Sequence, residues 1–216
     1  MKKSKLLMIL CGLLLLLFSC SRSEPKIAYG VMRLVYLESN ENPVERFSFF
    51  VLPEDNDGIE DIEELYLYHD REGLMWQLSA VDWVSYEVEG RYWIGSHNIA
   101  MADNEPLPRG LFRAVLVDKG GEKSERTFAF DAPEESRYPF PLFTLTGGSY
   151  RVESGYPDNY LICYDLEGNY IKTQPLTAYE GVFTDLDLPS NVAGVALWTE
   201  DPEYHVSALT DVVATP

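Results

Sequence analysis

Cysteine is scarce in this sequence, and its scarcity excludes a disulfide framework. Only three cysteines occur in 216 residues, and two of them, Cys11 and Cys20, lie in the N-terminal segment. Cys163 is therefore alone in the rest of the chain, which must be stabilised by packing rather than by an internal disulfide. It lies in an apolar, strand-like run with no histidine or basic residue beside it. We therefore expect a small buried hydrophobe rather than a reactive thiol.

Histidine is equally scarce, and the usual enzyme motifs are missing from the sequence. His69, His97 and His205 form none of the spacings of zinc sites. There is no nucleophile elbow, phosphate-binding loop or dinucleotide fingerprint. We therefore expect a protein without enzymatic activity. The alternative is an envelope hydrolase with a site assembled from scattered residues, which would need these histidines to converge with carboxylates in a cleft.

Basic residues are few compared with acidic ones. The chain has 17 lysines and arginines against 35 aspartates and glutamates, and its formal net charge is −18 at pH 7. Such an acidic surface repels nucleic acid and anionic lipid head groups, so neither is an expected partner. The acidic residues are spread along the chain, which is typical of a solvated surface.

The N-terminus has the pattern of a secretory signal. Lys2, Lys3 and Lys5 precede an apolar run from Leu6 to Phe18. A basic head followed by a short apolar stretch is typical of a signal peptide. The run is shorter than the roughly 20 residues that cross a bilayer, so it predicts export rather than a membrane span.

The signal ends in Leu17-Phe18-Ser19-Cys20, which resembles the lipobox of bacterial lipoproteins. Leu17 and Ser19 match the motif, whereas Phe18 is larger than the usual occupant of its position. The resemblance implies cleavage before Cys20 and lipidation of its sulfur and new amino group, which would attach the protein to a membrane. Ser21 is not the aspartate that retains some lipoproteins at the inner membrane, and this favours the outer membrane.

The residues after the signal favour β-strands. No window has a helical period, whereas aromatic and β-branched residues are abundant. Leu111 to Val117 and Arg126 to Phe130 alternate in polarity on either side of Gly120-Gly121, which predicts a hairpin. Tyr160 to Tyr164 and Tyr170 to Thr173 predict a second one. Short strands at intervals of roughly 8 to 12 residues indicate an all-β sandwich with almost no helix.

Two further segments complete the predicted strand pattern. Residues 97–109 include Pro106 and Pro108, which predicts a long loop. Residues 182–188, 192–199 and 204–209 are expected to form the last three strands.

The first half of the chain resembles bacterial immunoglobulin-like or fibronectin type III-like modules. One segment that carries the resemblance is the acidic loop from Asp55 to Ile62 between two strands. The other runs from Leu107 to Gly121, where proline and glycine lead into an alternating strand and a turn. The paired cysteines of antibody domains are missing. The resemblance implies a β-sandwich but no particular function.

These patterns together predict two small β-sandwich (Ig-like) domains behind a lipoprotein signal peptide. Prolines and glutamates between residues 131 and 141 are typical of a linker. The predicted units are the signal peptide 1–19, the lipidated Cys20 with its tether 20–26, the first sandwich 27–131, the linker 132–138 and the second sandwich-like domain 139–216.

The acidic loop holds the strongest candidate for a metal site. Asp55, Asp57 and Asp61 are closely spaced carboxylates around Gly58, and carboxylate oxygens are the ligands that calcium prefers. Pro53 occupies the first position of the EF-hand frame, so the loop is not an EF-hand. Two interpretations are open, a calcium site in a sandwich loop and a solvated acidic turn. No other cofactor is expected.

Aromatic side chains are a second kind of candidate site. Tyr66 and Tyr68 alternate with leucines and so share the opposite face of a strand. Trp76, Trp83 and Trp93 belong either to the core or to a binding surface. The expected protein is a lipid-anchored binding or structural component of the cell envelope, docking a partner protein or an envelope glycan. A calcium-dependent adhesion module is the alternative.

Overall fold

The computed structural model describes residues 23–39, 42–133 and 136–216. The predicted signal peptide 1–19 and the lipidation site Cys20 lie outside the described residues. Within them, the chain forms sixteen strands and two single-turn 3₁₀ helices, so the predicted all-β sandwich class is confirmed. In this part of the chain no helix is long and apolar enough to span a membrane.

The strands run through both halves of the described chain. In chain order they are β1 Lys26–Leu37, β2 Val44–Glu54, β3 Ile62–His69, β4 Leu74–Ser79, β5 Val84–Val88, β6 Arg91–Ile99, β7 Gly110–Asp118, β8 Lys123–Phe130, β9 Leu142–Thr146, β10 Ser149–Glu153, β11 Asp158–Tyr164, β12 Tyr170–Pro175, β13 Glu180–Val182, β14 Gly194–Asp201, β15 Val206–Leu209 and β16 Val213–Ala214. The 3₁₀ turns are Ile59–Asp61 and Phe183–Asp185.

The described strands form one large and two small sheets. The large sheet has nine strands in the order β12-β11-β14-β15-β1-β2-β6-β5, with β16 paired to β14. The small sheets are β4-β3-β7-β8 and β13-β10-β9. Strand β1 joins the halves, because it pairs antiparallel with β2 on one side and parallel with β15 on the other. The nine-stranded sheet therefore crosses from one half of the chain to the other without interruption.

The four-stranded sheet packs on the first-half strands of the large sheet and encloses the first core. Leu34, Phe47 and Phe112 are fully buried there. The ring centroid of Phe47 lies 4.6 Å from that of Phe130 and 5.3 Å from that of Phe112. Side chains alternate along a strand, so Leu34 of β1 faces this core while its neighbour Val35 lies on the opposite side of the sheet.

The three-stranded sheet packs on β11 and β14 and encloses a second core. Phe143, Tyr150, Leu161 and Leu197 meet there with Cys163. Cys163 is a free, fully buried thiol, which confirms the prediction of a small buried hydrophobe. Its burial raises the pKa of the thiol.

The thiol of Cys163 is expected to be unreactive in the folded protein, because it is both inaccessible and protonated. In a chain that begins at residue 21, Cys163 is the only cysteine. A thiol-reactive disulfide reagent should label nothing in native buffer and one thiol per chain after unfolding in guanidinium chloride. Rapid labelling without denaturant would contradict the buried placement.

Both predicted hairpins are present as β7–β8 and β11–β12, but two local predictions were wrong. His97 was expected to begin a loop and instead lies in β6, which continues because Ile99 pairs with Phe47 of β2. The strand expected over residues 182–188 gives way to the 3₁₀ turn Phe183–Asp185, whose phenylalanine is buried in the second core.

The described part of the predicted linker, residues 132–133 and 136–138, forms no strand. It is nevertheless held against the rest of the molecule. The ring of Tyr138 packs on Tyr156 with centroids 4.5 Å apart, and its hydroxyl donates a hydrogen bond of 2.6 Å to Asp201. The division into domains at this segment stays a prediction, because strands of one continuous sheet contribute to both cores.

Candidate binding face

The nine-stranded sheet has a second face that neither small sheet covers. Strands that bury alternate residues in the two cores present their remaining residues on this side. We call it the open face. It consists of Val31, Arg33, Val35, Leu37, Ser48, Phe50, Tyr86, Val88, Trp93, His97, Asn98, Tyr160, Ile162, Thr173, Trp198, Glu200 and Leu209.

The larger depression in the open face has a volume of about 730 Å³. This volume is in the range of pockets that bind organic ligands, roughly 300–1,000 Å³. Its lining is mainly aliphatic and aromatic and comes from β1, β6, β11, β12, β14 and β15. The apolar side chains are Val35, Leu37, Tyr160, Ile162, Trp198 and Leu209, and the polar ones are His97, Asn98, Thr173 and Glu200.

A second depression of about 340 Å³ adjoins the first. The two depressions share His97 and Trp198. Phe50, Tyr86 and Trp93 contribute aromatic surface to the second, and the ring centroids of Phe50 and Tyr86 lie 5.0 Å apart. Together the depressions form one apolar, aromatic-rich surface that extends over strands from both halves of the chain.

A polar cluster holds Trp198 where the two depressions meet. The indole Nε1 of Trp198 donates a 3.2 Å hydrogen bond to Glu200. The same carboxylate oxygen forms an ion pair with Arg33, which also donates to Ser207 Oγ at 2.9 Å. These contacts link β14, β1 and β15 at the parallel junction of the sheet. They therefore hold the indole in one orientation.

His97 brings an ionisable imidazole to the open face. Its ring centroid lies 4.5 Å from that of Phe50, and its Nδ1 lies 3.0 Å from Ser48 Oγ. Neighbouring side chains bury part of the ring, and this partial desolvation lowers the pKa of His97 below its usual value.

The lowered pKa of His97 predicts a small loss of stability in acid. The unfolded chain binds the proton more readily, so the stabilisation from neutral His97 is present above about pH 6.5 and disappears as the pH falls through that value. Between pH 7.5 and pH 5, the Tm of His97→Asn, measured by calorimetry, should therefore fall by about 1–2 °C less than the Tm of the wild type. Titration of the carboxylates changes the Tm of both proteins alike, so it cancels in this comparison. A Tm difference that is independent of pH would contradict the prediction.

The predicted tyrosine pair lies away from the open face. Tyr66 and Tyr68 project from β3 opposite the buried Leu65 and Leu67, as the alternation predicted, and their rings stack 5.9 Å apart. The guanidinium of Arg113 lies 4.6 Å from the ring centroid of Tyr68. These contacts occupy the tyrosine faces with neighbouring side chains of the same sheet.

The three predicted tryptophans are all half-buried, but in different settings. Trp76 and Trp83 pack against the first core, and the indole of Trp76 donates to the carbonyl of Ala100 at 2.9 Å. Trp93 belongs to the open face, where its ring meets Tyr29 edge-on at 6.4 Å. The tryptophans therefore divide between core and surface.

Trp198 was not predicted as a site residue. The signal that could have found it is the alternation in β14, where the buried Leu197 and Thr199 flank the half-buried Trp198. Alternation alone does not reveal which face of a sheet stays uncovered, since both smaller sheets come from other parts of the chain.

The acidic loop is brought together with a residue that was not predicted. One side-chain oxygen each of Asp55, Asp61 and Asp118 lies within 4.8 Å of the others. Asp57 is not part of this group. Its carboxylate instead accepts a 2.7 Å hydrogen bond from the backbone N–H of Ser23.

The three histidines lie on different elements. His69 is buried at the end of β3 with Nε2 3.1 Å from the carbonyl of Arg109, His97 lies on the open face, and His205 lies in the turn between β14 and β15. Among the described residues, none of them belongs to a group of three or more candidate metal ligands. Cys20 lies outside the described part of the chain.

The fold and the open face define an all-β sandwich protein with a long uncovered sheet face. No protein-family model and no curated protein sequence matches the chain. Among solved structures, it is similar to dimeric latent PorU from Porphyromonas gingivalis, at 14% identity and a TM-score of 0.33 over 89% of this chain and 20% of that one. It is also similar to Tp47, the 47-kilodalton lipoprotein of Treponema pallidum, at 12% identity and a TM-score of 0.34 over 90% of this chain and 50% of that one.

A third similar structure is the BSP domain of a biofilm associated protein. It matches at 11% identity and a TM-score of 0.28 over 85% of this chain and 29% of that one. The chain thus spans between a fifth and a half of the length of these three structures. At these identities the likeness concerns the fold alone.

Proposed function

We propose that the protein is a non-enzymatic, lipid-anchored binding module of the cell envelope. Its open face docks an apolar segment of a partner protein. The observation that carries the proposal is the continuous apolar surface, with depressions of about 730 and 340 Å³, across one face of the nine-stranded sheet. Contiguous exposed apolar surface of this kind marks interaction sites in soluble proteins.

The chemistry of the lining favours a polypeptide over a glycan. Leu37, Ile162 and Leu209 offer aliphatic surface to apolar side chains but no hydrogen bonds to sugar hydroxyls. Trp198 is the central aromatic anchor, the residue type most often dominant in protein interfaces. The net charge of −18 further favours an uncharged or basic segment and disfavours an anionic one.

The construction of the face supports a preformed site. Its strands bury their other sides in two cores, and the contacts among Trp198, Glu200 and Arg33 hold the central indole in place. A rigid surface loses little conformational entropy on binding, and this favours affinity.

The anchor is the second part of the proposal. The lipobox resemblance puts the lipid on Cys20, with residues 20–26 as the tether and the outer membrane as the favoured location. Ser23 supports a short connection, because its hydroxyl and backbone N–H donate to Asp55 and Asp57 and so bring the tether onto the body of the protein. Acyl chains on Cys20 would then hold the protein close to the membrane surface.

Docking is tested with the chain from residue 21, which contains every described strand and both cores. The probes are synthetic peptides with an apolar centre and basic flanks, compared with scrambled peptides and with neutral oligosaccharides. We expect saturable binding of the apolar peptides, with a change in tryptophan fluorescence. Trp198→Ala should weaken binding by about 30-fold or more, the loss typical of a central anchor.

Trp76→Phe is the matched control for the docking experiment, because Trp76 packs against the first core rather than the open face. It should bind like the wild type. Equal affinities of Trp198→Ala and the wild type would overturn the proposed face. Binding of oligosaccharides but not of peptides would overturn the proposed partner protein and show that the open face binds a glycan.

The anchor is tested in cells of a bacterium that processes lipoproteins. Cys20→Ala should abolish metabolic labelling by palmitate and move the protein out of the detergent-soluble membrane fraction. Cys163→Ala is the control and should be labelled normally, because its thiol is buried in the second core. Undiminished labelling of Cys20→Ala would show that the anchor lies elsewhere.

A further inference from the structure

Three aspartates from two distant segments of the chain converge beside the four-stranded sheet. Asp55 follows β2, Asp61 ends the first 3₁₀ turn, and Asp118 ends β7. One carboxylate oxygen of each lies within 4.8 Å of the others. We call this group the aspartate cluster. It uses none of the residues of the open face.

The cluster contains buried oxygens that have no hydrogen-bond donor. Asp118 is fully buried, and its Oδ2 has no partner within the described chain. The Oδ2 atoms of Asp55 and Asp61 are likewise buried and unpartnered. Buried carboxylate oxygens without a donor are costly, so the presence of one such oxygen on each of the three aspartates indicates that a cation completes the cluster.

The second carboxylate oxygens of Asp55 and Asp118 accept hydrogen bonds that orient these two side chains. Asp118 Oδ1 accepts a 2.8 Å hydrogen bond from the N–H of Glu122. Asp55 Oδ1 accepts a 2.8 Å bond from the N–H of Asp57 and a 3.1 Å bond from Ser23 Oγ. Metal-bound carboxylates are typically held in this manner, with one oxygen fixed by the protein and the other directed at the ion.

No basic side chain within the described residues forms an ion pair with the cluster. The nearest lysine in sequence is Lys119, and its Nζ donates instead to the carbonyl of Glu60 at 2.6 Å. Three carboxylates at this separation repel one another in a partly dehydrated setting. A bound cation would remove this repulsion.

We propose that Asp55, Asp61 and Asp118 bind a calcium ion. The candidate ligands are all carboxylate oxygens, which suit a hard cation and not zinc, whose sites are richer in histidine and cysteine. Calcium is favoured over magnesium because carboxylates on one loop and a strand end form an adaptable cage, whereas magnesium demands a small and regular octahedron. Backbone carbonyls and water would complete the six to eight oxygen ligands that calcium takes.

Calcium at this position would tie together the connection between β2 and β3 and the turn between β7 and β8. It would also steady the place where the tether meets the body, because Asp55 both belongs to the cluster and accepts from Ser23. The inference is independent of the open face. Failure of peptide docking would leave it intact, and the reverse also holds.

The proposal is tested by titrating calcium chloride into the chain from residue 21, by calorimetry, after treatment with a chelator. We expect one saturable site with a Kd on the order of 0.1 mM, as in extracellular calcium modules. At about 100 times this Kd, Tm should rise by about 5–10 °C over its value in chelator. Sodium chloride at equal ionic strength should give no comparable shift.

Asp118→Asn gives the sharpest test, because the sign of its effect depends on calcium. In chelator the variant should be as stable as the wild type or more so, since it relieves charge repulsion. In calcium it should lose at least ten-fold in affinity and most of the Tm gain.

Asp165→Asn is the matched control. Asp165 Oδ1 also accepts a hydrogen bond from a backbone N–H four residues later in a hairpin turn, but it is not part of the cluster. The control should keep the full calcium response. No heat and no Tm shift with calcium in the wild type would overturn the proposal, as would an unchanged calcium response in Asp118→Asn. Stronger binding of magnesium or zinc than of calcium would show that the cluster is a site for that ion and not for calcium.

Discussion

Replacing Arg109 by methionine is expected to lower the free energy of unfolding by about 3–5 kcal/mol, because it leaves a buried carboxylate without its partner. Arg109 donates to both oxygens of Glu45, at 2.8 and 3.0 Å, and the two side chains are only 13% and 8% exposed. Arg109 also donates to the carbonyls of Leu107, Ala132 and Pro133. Urea denaturation of the chain from residue 21 measures the loss.

A double-mutant cycle separates the ion pair from the rest of this network. Glu45→Gln combined with Arg109→Met should be more stable than Arg109→Met alone. The glutamine carries no charge and can still accept the 2.8 Å hydrogen bond that Leu107 N–H donates to Glu45.

The variant Arg113→Met is the exposed counterpart of Arg109→Met. Arg113 donates two hydrogen bonds to Asp70, whose side chain is 61% exposed. Arg113→Met should therefore lower the free energy of unfolding by less than about 1 kcal/mol. Equal costs for Arg109→Met and Arg113→Met would contradict the role assigned to burial.

Replacing Phe47 by alanine is expected to cost a similar amount, about 3–5 kcal/mol. Phe47 is fully buried, and its ring packs on Phe49, Phe112 and Phe130. These rings belong to both sheets of the first core, so removing one opens a cavity that the sheets cannot close without giving up their pairing. The midpoint of urea denaturation should fall while the m-value stays the same.

Leu111→Ala serves as the control for the core substitution. Leu111 is 65% exposed on β7, and its truncation should change stability by no more than about 0.5 kcal/mol. Phe47→Leu should retain part of the lost stability because it fills part of the cavity. A cost below about 1 kcal/mol for Phe47→Ala would mean that the two sheets do not pack closely at this point.

The core and the open face share strands, and this allows stability and binding to be separated. Phe47 faces the first core, whereas its neighbour Ser48 on β2 lies on the open face. At a temperature where Phe47→Ala is still folded, its affinity for the apolar peptides should stay near that of the wild type. Trp198→Ala should show the opposite pattern, with lost affinity and a smaller loss of stability.

Local patterns predicted those parts of the fold that depend on neighbouring residues. The hairpins over residues 111–130 and 160–173 were predictable because turn residues and period-two alternation lie within one short segment. The extension of β6 to Ile99 was not predictable in this way, because it depends on pairing with Phe47, far away in the chain. Buried Phe183 likewise ends β13 in a turn through contacts with the second core.

The candidate sites likewise combine residues that are neighbours in sequence with residues that only the fold brings together. Asp55 and Asp61 were predicted as neighbours because they share one loop, whereas Asp118 joins them only because β7 pairs with β3. The sequence placed Asp57 in the same group, but its carboxylate accepts from Ser23 instead.

The sequence by itself determined that this protein is an acidic all-β chain with a single, buried cysteine after residue 20, and it carries the resemblance to a lipoprotein signal. Composition and alternation suffice for these conclusions, because strand propensity and burial act residue by residue. Only the tertiary structure decided that β1 pairs in parallel with β15. That pairing fuses strands of both halves into one sheet. The tertiary structure also leaves the face around Trp198 uncovered, and the pairing of β7 with β3 brings Asp118 to the loop that holds Asp55 and Asp61. Such contacts depend on which strands meet, and strand partners distant in sequence are chosen by the packing of the whole molecule.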